Sequence, residues 1–412
     1  MPSSKTRSGT AFAVIASAIV ITAFASGAPS PLYPIYQELW EFSALTLTAI
    51  FAVYVGAMLI TLLTMGSLSD QIGRRPVLIT SMLLLGISMI VLATAGGVSA
   101  LVLGRILQGL ATGALLGTLS ATVVDLQPSR RAGALVNTTA MVFGLGLGVA
   151  ATAALVEFGP APRHLVFVLL VSLLIIGIVA TATLVPETSS RRGISSLGEA
   201  LGIMAPRMSV HPEVRAAFAA GVPVLVATWA LGGLNLSLGS SIARQVLEIT
   251  NVAVVGLLLS TFFFVSAITA LISSGRRPVA LPASLALLMI GLGVQLAGTL
   301  QASAFGYVVG LFLTGTGFST AYGGVVASLS HVPASARGQL FSVLYTVSYL
   351  AFSVPAVAGG LAVDAYGLRH ATYGYIAFVM LMVFLAGTFH LARRRNRPAE
   401  IPDPSHLAAA RE

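Results

Sequence analysis

Along its length the chain alternates long, uninterrupted apolar runs with short polar gaps. Runs of spanning length cover Ala11–Leu32, Leu45–Ser67, Pro76–Ala95, Ala100–Val124, Ala132–Val156 and Leu165–Val185. After a polar interval they resume as Ala216–Leu238, Val252–Ser273, Val279–Leu300, Phe305–Ser328, Leu340–Val363 and Tyr373–Leu391. Each is close to the about 20 residues with which a helix crosses roughly 30 Å of hydrocarbon. The runs are continuous and do not alternate, so they predict helices and not barrel strands. The pattern predicts an all-α integral membrane protein of twelve helices. The first run is too long for a signal-peptide core and reads as a retained span.

Composition agrees. Of 412 residues, 56% are hydrophobic and 8% charged, with a mean hydropathy of +0.94. A soluble domain carries roughly 25% charged residues, so this inventory cannot cover an aqueous surface. The net charge of +9 would suit nucleic acid in another chain. Here the basic residues punctuate an almost chargeless body, which is a topology signal, and no nucleic-acid partner is expected. Most fall on one side of the predicted bilayer, among them Lys5, Arg74, Arg75, Arg130, Arg131, Arg191, Arg192, Arg276, Arg277, Arg337 and Arg393. The other side holds only Arg163, Arg244 and Arg369, and Arg105 lies within a span. The asymmetry predicts a cell-membrane protein with both termini cytoplasmic. Tyr33, Tyr36 and Trp40 would mark the outer interface of the first hairpin.

Several chemistries are excluded. Cysteine is absent, which removes disulfides, thiolate metal sites and cysteine nucleophiles. Lys5 is the sole lysine, so no Walker A loop exists to hold a nucleotide phosphate. Neither HExxH nor GxSxG occurs, and all six histidines fall at or beyond the ends of apolar runs. An enzyme is not expected, and no metal or cofactor is implied.

The chain repeats itself. Gly73-Arg74-Arg75-Pro76-Val77 returns as Gly275-Arg276-Arg277-Pro278-Val279, and Gly104 and Gly109 return as Gly310 and Gly315. Pro128, Gly133 and Leu135 match Pro333, Gly338 and Leu340, and Glu157, Arg163 and His164 match Asp364, Arg369 and His370. An offset that persists across four places marks an internal duplication. It predicts an N-tail (1–10), a six-helix half (11–186), a cytoplasmic connector (187–215), a second six-helix half (216–392) and a C-tail (393–412). Paired six-helix halves are the arrangement of transporters that rock around a central site.

The stretch Gly66-Ser67-Leu68-Ser69-Asp70-Gln71-Ile72-Gly73-Arg74-Arg75-Pro76 resembles the loop 2–3 signature of the major facilitator superfamily. Leu101, Gly104, Arg105, Gln108 and Gly109 resemble its fourth-helix motif, and Pro186-Glu187-Thr188 resembles the element that ends its sixth helix. Gly144, Gly146 and Gly148 have the glycines of the drug-antiporter signature without its Gly-Pro pair; Pro355, Gly359 and Gly360 stand in the matching eleventh span. The resemblance implies two pseudo-symmetric halves and alternating access. It also implies a conformational latch of Gly66, Asp70, Gly73, Arg74 and Arg75, with Asp70 facing the start of the eleventh span near Arg337. Asp125 is placed to pair with Arg74. The plainer alternative is a solvated loop that only sets topology.

Within the spans, Arg105, Gln108 and Thr112 share one helical face with Gly109 beside it. Arg105 either ties helix ends together, its cost lessened by snorkelling to the outer surface, or senses substrate or protons at a cavity edge. Trp229, Asn235, Thr314, Tyr322 and Tyr345 are candidate cavity-lining residues, with helix packing as the alternative for each. Gly144 and Gly148, at GxxxG spacing, read as close helix packing. No carboxylate occupies the middle of a span, so weak or absent proton coupling is expected, below one proton per substrate. Glu157 and Asp364 are the candidate proton carriers, or else simple caps on outer helix ends. The expected function is secondary active export of small apolar organic compounds or drugs by a monomer in the lipid bilayer. The alternatives are uptake of a neutral metabolite or sugar, and a transporter-shaped receptor.

Overall fold

In a computed structural model, residues 4–65, 68–189, 198, 202, 209–274, 279–329 and 334–395 are described. Backbone inside hydrocarbon must satisfy its own N–H and C=O groups, so the apolar runs coil into helices. Twelve of these are long and apolar enough to span, and the described residues contain no strand. The first six spans are Ser4–Gly27 continued by Tyr33–Trp40, Ala44–Met65, Arg74–Ala93, Val98–Leu126, Arg130–Phe158 and Leu165–Leu184. The second six are Pro212–Ser237 continued by Gly239–Gln245, Val252–Ser273, Leu281–Leu300, Ala304–Ser328, Ala334–Tyr366 and Leu368–Arg395.

Large apolar side chains such as Ile176, Phe305 and Phe384 point outward, as a lipid-facing surface requires. Inside, Ile15, Leu47, Leu85, Leu115 and Phe167 form the core of the first half. Leu231, Leu259, Leu288, Leu311 and Ile376 form that of the second, which also takes in Phe51, Tyr54 and Val149 from the first. The halves meet along two seams related by the repeat: the second span on the eleventh, and the fifth on the eighth.

Small residues let backbones approach at these contacts. A Cβ on Gly144 would lie 2.6 Å from the Val20 carbonyl oxygen, and one on Gly148 would lie 2.4 Å from that of Phe24. The GxxxG pair therefore presses the fifth span onto the first. Gly146, on another face, meets Phe263 and Phe264 of the eighth span.

The first and seventh spans are broken at corresponding places. After Gly27 the first passes through a 3-10 turn, Ser30–Leu32, into the short helix Tyr33–Trp40. The seventh is interrupted at Leu238 before Gly239–Gln245. The sequence pattern ended the first span at Leu32; it continues to Trp40 because Pro31 and Pro34 occupy first-turn positions, where no N–H is needed. This corrects one expectation. Tyr33 and Tyr36 are each only 2% exposed and sit within the protein, not at a lipid interface. Gly66, most of the connector, the second arginine loop at Gly275–Pro278, the side chains that open the eleventh span through Gly338, and the C-tail beyond Arg395 lie outside the described residues.

Candidate functional site

At the arginine-rich end, Gly73 adopts φ 110°, a backbone position that favours glycine, and turns the chain sharply into the third span. Arg74 follows and is largely covered, its side chain 15% exposed. Its Nη2 and Nε donate to Asp70 at 3.2 and 3.4 Å, and its Nη1 donates to Asp125. The Arg74 guanidinium thus ties the short helix Leu68–Ile72 to the end of the fourth span. Glu187 caps the third span, accepting from the Arg74 and Arg75 backbone N–H groups at 2.9 and 3.3 Å. A carboxylate there also complements the helix dipole. The Asp70 carboxylate is 57% exposed, and its described ion pair stays within the first half.

The opposite end is different, because there the halves are fastened to each other. Glu157, ending the fifth span, accepts from Asn251 Nδ2 at 2.9 Å and from the Val252 N–H at 2.8 Å. Asp364, near the end of the eleventh span, accepts from the Ala44 and Leu45 N–H groups at 3.1 and 3.3 Å. Each carboxylate caps the first turn of a helix in the other half, and the repeat relates one cap to the other. The helix breaks meet here too: Ser30 Oγ donates to the Leu236 carbonyl at 2.8 Å, and Ser240 Oγ donates to that of Ser30 at 3.1 Å. Arg244 pairs with Glu38 at 2.9 Å. At the arginine-rich end Arg131 reaches the Ser274 carbonyl of the other half at 3.5 Å.

Between the ends lies Arg105. It does not snorkel, being 2% exposed. Its Nη1 donates to Gln108 Oε1, whose amide is held by the Ala25 carbonyl in the first span at 2.6 Å. The Tyr54 ring lies under the guanidinium, 3.9 Å from its carbon, a cation–π contact. Tyr54 in turn shares a 2.9 Å hydrogen bond with Ser26. Thr112 is buried on the same face. Gly109 serves packing: a Cβ there would lie 2.3 Å from the Tyr54 carbonyl oxygen.

Across the interface is an aromatic cluster. Trp229 meets Tyr349 (5.1 Å between ring centroids), Phe352 (5.8 Å), Tyr322 (5.9 Å) and Phe318 (6.4 Å). Tyr345 stacks beyond Tyr349 at 6.3 Å, and Phe352 contacts Phe51 of the first half at 5.0 Å. Trp229, Tyr322 and Tyr345 are half-buried. The other two candidates lie elsewhere. Thr314 is fully buried against Gly291 of the ninth span and donates to its own helix at Gly310. Asn235 is fully buried and donates back to Leu231 at 3.0 Å. Tyr54, Phe318 and Phe352 escaped sequence reasoning. A tyrosine in mid-span was the available signal for the first, whereas the two phenylalanines look like any core residue.

Twelve spans in two related halves, fastened at one end around a buried polar and aromatic interface, define a secondary-transporter architecture. The chain belongs to the Major Facilitator Superfamily, whose model matches residues 15–273, and it is a multi-pass membrane protein. Among curated relatives, the multidrug transporter MdfA of Edwardsiella piscicida is 26% identical over 242 residues, as is that of Edwardsiella tarda (strain FL6-60). The match covers 56% of this chain and 56% of each relative. The human organic anion transporter MFSD10 (TETRAN) superposes with a TM-score of 0.61 at 15% identity, covering 93% of this chain and 100% of that one. A point mutant of the nucleoside transporter NupG gives 0.67 at 13% identity, covering 91% and 99%. These two likenesses show the fold.

Proposed function

We propose that the protein exports small, largely apolar aromatic compounds across the cell membrane by alternating access, with its arginine-rich side in the cytoplasm. The observation that carries this reading is the half-buried aromatic wall around Trp229 at the junction of the halves. Stacking rings recognise flat apolar solutes by area and shape, without a fixed set of hydrogen bonds. The 26% likeness to the multidrug transporter MdfA supports the same substrate class. A sugar site would need several amides aimed at one ligand, yet Gln108 is committed to Arg105 and Ala25, Asn235 donates back to its own helix, and Gln295 is buried against Gly310 between the ninth and tenth spans.

The fastening at the arginine-poor end supports reading this as a state closed to the outside. Glu157 and Asp364 act in this reading as an outer lock, not as proton carriers inside the cavity. Asp70, exposed here and paired with Arg74 in its own half, engages the other half when the cytoplasmic side closes. Asp70→Asn is therefore expected to leave detergent melting within about 0.5 kcal/mol of wild type, as for an exposed ion pair, while slowing transport several-fold. Unchanged transport would remove the latch role.

Flux into proteoliposomes with a solute panel tests the function directly. Aromatic dyes and drugs are expected to move, and Trp229→Ala to lower their flux about tenfold, one lost ring contact being of the order of 1.4 kcal/mol. Flux confined to sugars or nucleosides, or equal flux in Trp229→Ala, would overturn the reading.

A further inference from the structure

A guanidinium inside a membrane protein needs a counter-charge or a complete set of acceptors. Arg105 has neither. Its hydrogen bond goes to the neutral carbonyl of Gln108, and its Nε–H, fully enclosed, has no acceptor. The Tyr33 hydroxyl lies within electrostatic reach of it, is equally enclosed, and also lacks a partner. Both residues are 2% exposed.

No carboxylate among the described residues bonds to Arg105. Glu38 is engaged by Arg244, Glu157 by Asn251 and Val252, and Asp364 by Ala44 and Leu45, while Glu41 and Glu248 are exposed. Asp70, Asp125 and Glu187 are occupied at the other end of the spans. Gln108 cannot turn away to free more donors, because Ala25 holds its amide.

We propose that Arg105 and Tyr33 form a binding site for one monovalent anion, which supplies the charge that the chain withholds. Arg105 Nε–H and the Tyr33 O–H donate to it, the Tyr54 ring backs the guanidinium, and Gln108 sets the guanidinium's orientation. Tyr54, under the guanidinium, lies about one helical turn from Phe51, whose ring meets Phe352 of the aromatic wall at 5.0 Å, so the site adjoins that wall. Its occupant is either the carboxylate of an aromatic solute seated on that wall or an inorganic ion of chloride's size. The first occupant deepens the proposed function and rests on it; the second does not.

The test is binding in detergent, which needs no transported substrate and so stands or falls apart from flux. Purified protein carrying Trp40→Phe, so that Trp229 is the one tryptophan, is titrated in sodium gluconate with sodium benzoate, sodium chloride or neutral benzamide, reading melting temperature and Trp229 fluorescence. A saturable rise in melting temperature with benzoate or chloride, but not with benzamide, is expected. Response to benzoate alone assigns the site to a substrate carboxylate, and response to chloride assigns it to an inorganic ion. Arg105→Met should abolish the response, Arg105→Lys should retain it at weaker affinity, and Tyr33→Phe, which removes one oxygen and keeps the ring, should weaken it at least threefold. If Arg105→Met does not fold, Tyr33→Phe decides. No anion response in the wild-type protein, or the same response in wild type and Tyr33→Phe, would overturn the proposal.

Discussion

Replacing Glu157 and Asp364 together by alanine is expected to release the arginine-poor end and shift the protein towards a state open there. Each carboxylate holds the first turn of a helix in the opposite half. Removing a side-chain cap of this kind costs about 1 kcal/mol, so the pair is worth about 2 kcal/mol, roughly a 30-fold change in the ratio of the two conformers. Neither residue belongs to a half's hydrophobic core, so the fold should survive. The absence of native cysteine makes the measurement clean. Thr48 is fully buried beneath Gly360, one turn inside the Asp364 cap. With Thr48→Cys as reporter, an impermeant maleimide should label the double variant tens of times faster than the capped protein. Each single variant should fall between. Equal labelling rates would mean that the caps do not hold the closure.

The second large effect is expected at Gly109 and Gly113, where the fourth span lies on the second. A Cβ at Gly109 would come 2.3 Å from the Tyr54 carbonyl oxygen, and one at Gly113 would come 2.2 Å from that of Met58. The two carbonyls are backbone and cannot swing aside as the Thr61 side chain near Gly113 could. The helices must separate, which also disturbs the Tyr54 ring under Arg105. Overpacking commonly costs about 1–3 kcal/mol, occasionally more, and rigid obstacles place these sites at the upper end. Gly109→Val with Gly113→Val should leave little monodisperse protein on size-exclusion chromatography. Gly86→Val, with open space around it, should behave as wild type. Normal recovery of the double variant would show that the second and fourth spans are not held at that spacing.

The sequence made the spans legible because hydrocarbon imposes a length and a composition that few other pressures mimic. The duplication was equally plain and anticipated that Glu157 and Asp364 occupy equivalent places. Gly144 and Gly148 could be assigned to packing from their spacing alone. What could not be read was which element lies opposite. Capping by Glu157 becomes a bond between halves only once Asn251 and Val252 stand across from it. Tyr33 and Tyr36 looked interfacial because sequence position gives depth in the bilayer but not facing. Arg105 looked able to snorkel for the same reason, since nothing local foretold that Tyr54 of the second span would cover it. Thr314 is polar and mid-span, yet it faces the ninth span and not the junction of the halves.

Alternating access makes the two ends of the seam move in opposite senses, and spin-label distances at both ends measure this most directly. Ser43→Cys with Gly367→Cys reports the arginine-poor end, and Gln127→Cys with Ser328→Cys reports the arginine-rich end. In the otherwise unaltered protein the first pair should be close and narrowly distributed. In the Glu157→Ala, Asp364→Ala background it should lengthen while the second pair shortens. Distances that stay fixed in both backgrounds, or that lengthen together, would contradict a transporter that opens one end by closing the other.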